Sequence, residues 1–414
     1  MKARILYYLF AISLIISTFN SCDFSNTEEG EGPEEEYLVS YEKVNEYLPD
    51  FITALFNQLS AGNYPELDPI IDKVQHGVTV YKISYNTTFN NENKIASGLV
   101  CVPTTLGEFP VLSYQNGTNT QHSKAPSVNP TNELFLMLEF VTSTGFIVTI
   151  PDYLGFGTSA NMFHPYLDRV STVQTVIDMQ HATRELVENY TEIDMSKDLY
   201  IAGYSQGGWA TLQVQKEIET NNSTSFNLKA SSCGAGPYDL NYINNYVLGL
   251  EEYPMPYFLG YIFNSYYNLE LITTAIDDVF MDPYDSRILS LYDGTKSGDE
   301  INNELTTKIP MLFTEDYITN YSTDSKYSSI KLALEDNSID AWATTTPTML
   351  LHGTVDTFVP PMVTNKIYQN FLLEGVGNTV TMIPLQGEDH QSGILKAGVA
   401  QISWFLSIKD GAGM

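Results

Sequence analysis

From residue 78 onward the chain is built of short apolar runs separated by longer amphipathic stretches. Residues 78–85 and 95–102 have the strand-like pattern of apolar and polar positions, and the polar stretch 86–93 between them predicts a turn, so the pair predicts an antiparallel hairpin at a sheet edge. The runs 110–114, 146–150, 199–203 and 228–233 are short enough for buried strands. Helical periodicity covers 134–144, 170–190 and 206–220 in the gaps. Strand and helix therefore alternate, and that alternation predicts a mostly parallel sheet with helices on both faces. Between 237 and 346 the alternation stops. This stretch is rich in tyrosine and in amphipathic helical runs, and predicts an inserted, mainly helical cap. Strands resume at 347–351 and 380–385, and a helix over 393–408 closes the chain. Upstream, 44–56 has helix-like spacing interrupted by Pro49 and predicts a helix on the outside of the core domain.

Composition narrows the class. With 414 residues and 43% hydrophobic content the chain has material for a large core. Lys+Arg 20 against Asp+Glu 50 argues against nucleic acid or anionic membrane surfaces as partners, and reads as a solvated acidic surface. At the start, Lys2 and Arg4 precede an apolar run over 7–16 that is too short to span a bilayer, the pattern of a signal peptide. The run ends at Ser21-Cys22, which resembles a bacterial lipoprotein processing site, with Asn20 in place of the usual small residue. An acylated Cys22 would be followed by an acidic spacer, and the membrane would then be met through that N-terminal lipid only. The expected location is the cell envelope, at the outer membrane or cell surface; the alternative is an ordinary secreted protein cut near Cys22. Cys101 and Cys233 sit in apolar stretches and are expected to be buried small hydrophobes.

Candidate chemistry centres on Gly203-Tyr204-Ser205-Gln206-Gly207-Gly208. Gly-x-Ser-x-Gly between an apolar strand and a helix holds a serine on a strained turn with its hydroxyl exposed, and the glycines make room for the turn. A serine hydroxyl needs a base and a group to orient that base. In this architecture the partners follow in the order acid, then histidine. Of the six histidines only His352 and His390 come after Ser205, and only His390 has a strand-end acid, Asp356, between it and the serine. Asp356 therefore reads as the acid and His390 as the base. Glu388 and Asp389 remain open as alternatives to Asp356. His352 reads as tying down the acid loop. The backbone N–H of Gln206 is one expected oxyanion donor, and the loop holding Gly117 and Thr118 supplies the second.

These motifs, with Ser113-Tyr114-Gln115-Asn116-Gly117-Thr118, Pro151-Asp152-Tyr153-Leu154-Gly155-Phe156-Gly157 and His164-Pro165-Tyr166-Leu167, resemble the α/β-hydrolase superfamily, and within it the secretory lipase and esterase branch. Members often carry His where Asn116 stands, which leaves only backbone donors in that loop. The resemblance implies an α/β-hydrolase fold with an inserted helical cap acting as a lid. It also implies hydrolysis of carboxylic esters through an acyl-enzyme; the expected substrate is a small-molecule or lipid ester, and no cofactor or metal is expected.

The expected organisation is a signal peptide (1–21), an acidic spacer (22–40), a hydrolase core (41–236 and 347–414) and the cap (237–346). Two other readings compete. A prolyl-oligopeptidase-like serine peptidase would use the same three residues, but the N-terminal portion is too short for the large β domain such enzymes carry. A non-catalytic ligand-binding lipoprotein would be marked by a missing triad member, and none is missing. The loop 293–298, with Glu304 beyond it, has a faint calcium-loop spacing, but Thr295 and Ser297 replace carboxylates and Lys296 adds positive charge, so a surface loop is expected.

Overall fold

The computed structural model describes residues 36–62, 64–221 and 224–411. The expected signal peptide, Cys22 and the 22–35 part of the spacer lie outside the described residues.

Nine strands form one sheet: β1 (Leu38–Tyr47), β2 (Val78–Phe89), β3 (Glu92–Pro103), β4 (Glu108–Gln115), β5 (Ile147–Pro151), β6 (Asp194–Tyr204), β7 (Asn227–Gly234), β8 (Thr348–Gly353) and β9 (Val380–Leu385). Their spatial order is β1-β2-β3-β5-β4-β6-β7-β8-β9. The first three pair antiparallel and β3 meets β5 antiparallel, while everything from β5 to β9 is parallel. The register aligns Gln115 with Gly203, Tyr204 with Gly234 and Gly353 with Leu385, so the parallel strands end along one rim. In open parallel sheets that carboxyl rim is where ligands bind.

The hairpin β2–β3 forms as expected but is not at the edge. Residues 44–47 are not helical; they belong to β1, which pairs along β2 and takes the edge position, and residues 38–40 of the expected spacer are part of the same strand. The helical spacing that suggested otherwise belongs to α1 (Pro49–Gly62), which buries Ile52, Leu55 and Phe56 and starts at Pro49, where a fixed φ suits a first turn. Most of β1 is exposed, so it shows no apolar alternation; its order comes from hydrogen bonds to a strand far along the chain, which no local pattern reports.

Helices α2 (Glu133–Val141), α3 (Arg169–Tyr190) and α4 (Gln206–Asn221) connect the central strands. Asp168 caps α3 by accepting from the Ser171 N–H at 2.9 Å. On the β1–β6 side, Ile83, Val100, Ile147, Met179 and Leu186 pack into one apolar cluster. Between β7 and β8 the chain is helical, with α5 (Leu240–Leu248), α6 (Pro256–Asn268), α7 (Gly298–Glu304) and α8 (Ser328–Asp336); α9 (Met362–Leu373) and α10 (Gly393–Lys409) follow in the resumed sheet.

The inserted segment shares its core with the sheet. Trp209 and Leu212 of α4, Leu350 of β8 and Phe371 of α9 pack in the same cluster as Phe263, Phe313 and Tyr317. The fully buried Trp209 donates through Nε1 to the Asn337 carbonyl at 2.8 Å, and Glu219 accepts from Trp342 Nε1 at 2.5 Å and from the Thr346 N–H at 3.0 Å.

Candidate active site

Ser205 stands between β6 and α4 with φ +60°, a left-handed conformation uncommon for a residue with a side chain. Its N–H donates to the Gly234 carbonyl at 2.8 Å, and the Trp209 N–H donates to its carbonyl at 3.1 Å, so strand and helix together enforce the turn. The neighbouring glycines are required by contact. A Cβ on Gly207 would lie 1.9 Å from the Gln115 carbonyl oxygen, and one on Gly208 would lie 2.2 Å from that of Gly234.

Three residues from separate rim positions meet here. His390 Nε2 lies 2.9 Å from Ser205 Oγ, and His390 Nδ1 lies 2.6 Å from Asp356 Oδ2. With Nδ1–H donating to the carboxylate, Nε2 is left to accept from the serine hydroxyl. Asp356 follows β8 and is buried; its Oδ1 accepts from the N–H groups of Phe358 at 2.8 Å and Val359 at 3.0 Å. Burial works to raise this carboxyl, but hydrogen bonds from His352 and His390 outweigh it and hold it well below the usual carboxylate range. The two other acids are engaged elsewhere: Glu388 pairs with Lys396, and Asp389 Oδ1 accepts from the N–H groups of Gln391 at 2.9 Å and Ser392 at 2.8 Å. The Tyr204 hydroxyl donates to the His390 carbonyl at 2.9 Å, which joins the base loop to the serine turn.

His352 is part of the acid's support. Its Nδ1 lies 2.6 Å from Thr364 Oγ1, and its Nε2 lies 2.9 Å from the Val359 carbonyl and 3.2 Å from Asp356 Oδ2. With Nε2–H donating, the ring fixes both the turn that follows Asp356 and the carboxylate itself.

Gln206 opens α4, where first-turn N–H groups lack partners within the helix. Gly117 is next to the serine: a Cβ built on it would lie 3.9 Å from that of Ser205. Thr118 turns its hydroxyl away, to Tyr166 at 2.9 Å. The Asn116 side chain also points elsewhere, its Nδ2 donating to the Pro151 carbonyl at 2.8 Å, while the Tyr153 hydroxyl donates to the Asn116 carbonyl at 3.2 Å.

One neighbour had no role assigned from sequence. Buried His164 donates from Nδ1 to the Leu154 carbonyl at 2.7 Å, which leaves Nε2 to accept from Gln206 Nε2 at 3.1 Å. Burial pushes this imidazole down to about 4, so it stays neutral and remains an acceptor at neutral pH. The segment His164-Pro165-Tyr166-Leu167 stood out in the sequence, but its partners were visible only in three dimensions.

An apolar pocket opens at Ser205, lined by Tyr166, Leu167, Pro237, Leu240, Phe258 and Phe358. The Asp293 carboxylate serves its own loop: Oδ1 accepts from the N–H and hydroxyl of Thr295 at 2.9 and 2.6 Å, and Lys296 lies 3.7 Å from Oδ2. Among the described residues no group of acids, histidines and cysteines is placed to hold a metal ion. Cys101 and Cys233 are buried, and burial raises the Cys233 thiol to about 12.

A parallel sheet with a strained serine at a strand-to-helix turn and a late histidine behind it is the architecture of the α/β-hydrolases, and the chain has that fold, with a site arranged as in serine hydrolases. The prolyl oligopeptidase family profile matches residues 132–226, the stretch that contains Ser205. Among solved structures the chain is similar to a hydrolase candidate from Legionella pneumophila, with TM-score 0.80, 25% identity, and 92% of this chain and 100% of that one covered. It is also similar to the rice cell wall degrading esterase LipA from Xanthomonas oryzae, with TM-score 0.74, 23% identity and coverage of 91% and 98%. The closed state of Candida antarctica lipase A matches at TM-score 0.67 and 13% identity, with coverage of 92% and 83%. No match is found among curated protein sequences.

Proposed function

We propose that this protein hydrolyses carboxylic esters through an acyl-enzyme, with Ser205 as nucleophile, His390 as general base and acid, and Asp356 as the carboxylate that orients the imidazole. The observation that carries the reading is the unbroken relay from Asp356 Oδ2 to His390 to Ser205 Oγ, at 2.6 and 2.9 Å, beside an apolar pocket. His390 Nε2 takes the hydroxyl proton as Ser205 Oγ bonds to the ester carbonyl carbon. The N–H groups of Gln206 and of Gly117 or Thr118 receive the negative oxygen, and outright loss of one such donor costs roughly 100- to 1000-fold in rate. The tetrahedral intermediate expels the alcohol, which leaves with the proton from His390. Water then attacks the acyl carbonyl, its proton passes to His390, and the acid departs as Ser205 recovers its proton.

An apolar pocket roofed partly by α5 and α6 suits an acyl or aromatic group better than a free sugar. Esterase and lipase neighbours support the same substrate class. The second reading, a serine peptidase, is favoured by the prolyl oligopeptidase profile match. A panel of p-nitrophenyl esters graded by chain length, run beside proline p-nitroanilides, decides between them. Turnover of the anilides alone would reject the ester reading.

From the basic start, the short apolar run and Ser21-Cys22 we further propose that the enzyme lies in the cell envelope, exported by residues 1–21 and anchored through an acylated Cys22, with no nucleic-acid partner. The acidic composition supports the last point. Mass spectrometry of the mature N-terminus tests the anchor: an unmodified N-terminus would reject it.

A further inference from the structure

The loop expected to supply the second oxyanion donor is held from two sides: Asn116, before Gly117, bonds to the Pro151 carbonyl and the Tyr153 hydroxyl, and the residues after Thr118 are fastened to the inserted segment. Thr118 Oγ1 meets the Tyr166 hydroxyl at 2.9 Å, but the next attachments all cross to residues beyond β7. The Tyr261 hydroxyl donates to the Asn119 carbonyl at 3.2 Å, Thr120 Oγ1 donates to the Lys296 carbonyl at 2.8 Å, and the His122 N–H donates to the Gly294 carbonyl at 2.8 Å. Tyr261 lies on α6. Its ring is stacked on Tyr166, with centroids 4.4 Å apart and planes 10° apart, and on Tyr292, at 4.6 Å and 11°. The rings of Tyr166 and Tyr261 also border His164, at 5.9 and 5.6 Å, and His164 holds the Gln206 side chain. Both arms of the oxyanion site thus converge on one aromatic cluster, to which the inserted segment contributes Tyr261.

Oxyanion donors act only within a narrow range of positions, and the small polar stretch after β4 has no regular structure of its own to set that range. Its anchors set it instead. Resting on the ester-hydrolase reading above, we propose that Tyr261 is a positioning residue for the oxyanion site, and that seating α6 on the core is what brings the Gly117–Thr118 backbone into register with Ser205. The inserted segment then assembles the catalytic geometry as well as covering the pocket.

Tyr261→Phe removes the hydroxyl and keeps the stack; Tyr261→Leu removes both. Rates on a short p-nitrophenyl ester are taken per active site titrated with a fluorophosphonate. On that basis kcat is expected to fall roughly three- to tenfold in the first variant and roughly a hundredfold in the second, with KM within about twofold of the parent. The inhibition constant of an alkylboronic acid, whose serine adduct places an oxygen in the oxyanion site, should rise in step with the loss of kcat. Tyr267→Phe, which removes a bond from that hydroxyl to the Thr274 carbonyl at 2.7 Å, should change none of these. Tyr261 variants with parental kcat per titrated site, or with lowered kcat and an unmoved boronic acid constant, would overturn the proposal. If Tyr261→Leu does not fold, Tyr261→Phe carries the test. A parent enzyme whose Ser205 is not labelled by the fluorophosphonate would overturn the hydrolase reading and this inference together, whereas labelled parent with unchanged variants overturns this inference alone.

Discussion

The Cβ that Gly207 lacks would stand 1.9 Å from the carbonyl oxygen of Gln115, the last residue of β4. The second glycine of the serine motif is therefore a point of contact between α4 and the neighbouring strand, and the space is bounded by backbone that cannot rotate away. Gly207→Ala is expected to cost about 3 kcal/mol or more by urea unfolding, at the upper end of overpacking effects. Gly398, inside α10 with no atom within 4 Å of an added Cβ, is the contrasting case. Gly398→Ala should stabilise by about 0.5–1 kcal/mol through lost freedom of the unfolded chain.

The serine turn separates function from stability. Ser205→Ala should abolish ester hydrolysis while circular dichroism and unfolding remain near those of the parent. Ser205→Gly should be equally inactive but more stable, by about 1 kcal/mol, because glycine removes the strain of the +60° φ. Asp356→Asn should leave the geometry in place and lower kcat by about 10⁴-fold, since an amide no longer selects the imidazole tautomer that accepts from the serine. Retained turnover in Ser205→Ala would reject the proposed nucleophile.

His352 touches Asp356 rather than any reacting atom. Replacing it with Gln removes the bond to Thr364 and loosens the carboxylate, and kcat is expected to drop about ten- to a hundredfold with KM little changed. An unchanged kcat would show that the two N–H donors on Asp356 Oδ1 suffice.

Glu139, on α2, is fully buried. Burial raises it to about 8 from 4.5, with the Tyr47 hydroxyl offsetting part of the rise. Above pH 4.5 the unfolded chain loses this proton while the folded one keeps it, so the folded state binds more protons and stability falls with pH. The contribution is full below pH 4.5 and lost as pH rises through about 8. Melting temperatures across that window should decline, and Glu139→Gln should flatten the decline. Equal slopes in parent and variant would reject it.

Much of the sheet was legible because its central strands are short apolar runs and its crossovers carry helical periodicity, both local signals. Ser205 and His390 could be selected as partners by motif and chain order, and Asp356 put forward as the acid with Glu388 and Asp389 left open beside it. Strand β1 could not, since an exposed edge strand has no apolar alternation and its partner is distant. His164, Tyr166 and Tyr261 were visible only as members of conspicuous stretches. Their meeting depends on where α6 lands on the core, which hydrophobic patterning does not specify.

The sequence by itself determined the order of elements from β2 onward, the turn that exposes Ser205 and the two later rim positions, because backbone sterics, apolar period and strand-to-helix punctuation act over a few residues. Tertiary structure alone decided which acid meets His390, that His352 braces that acid, and that the oxyanion loop is anchored to the inserted segment. Those outcomes rest on hydrogen bonds and ring stacks between residues far apart in the chain, whose distances are set only when the sheet and the helices over it have packed.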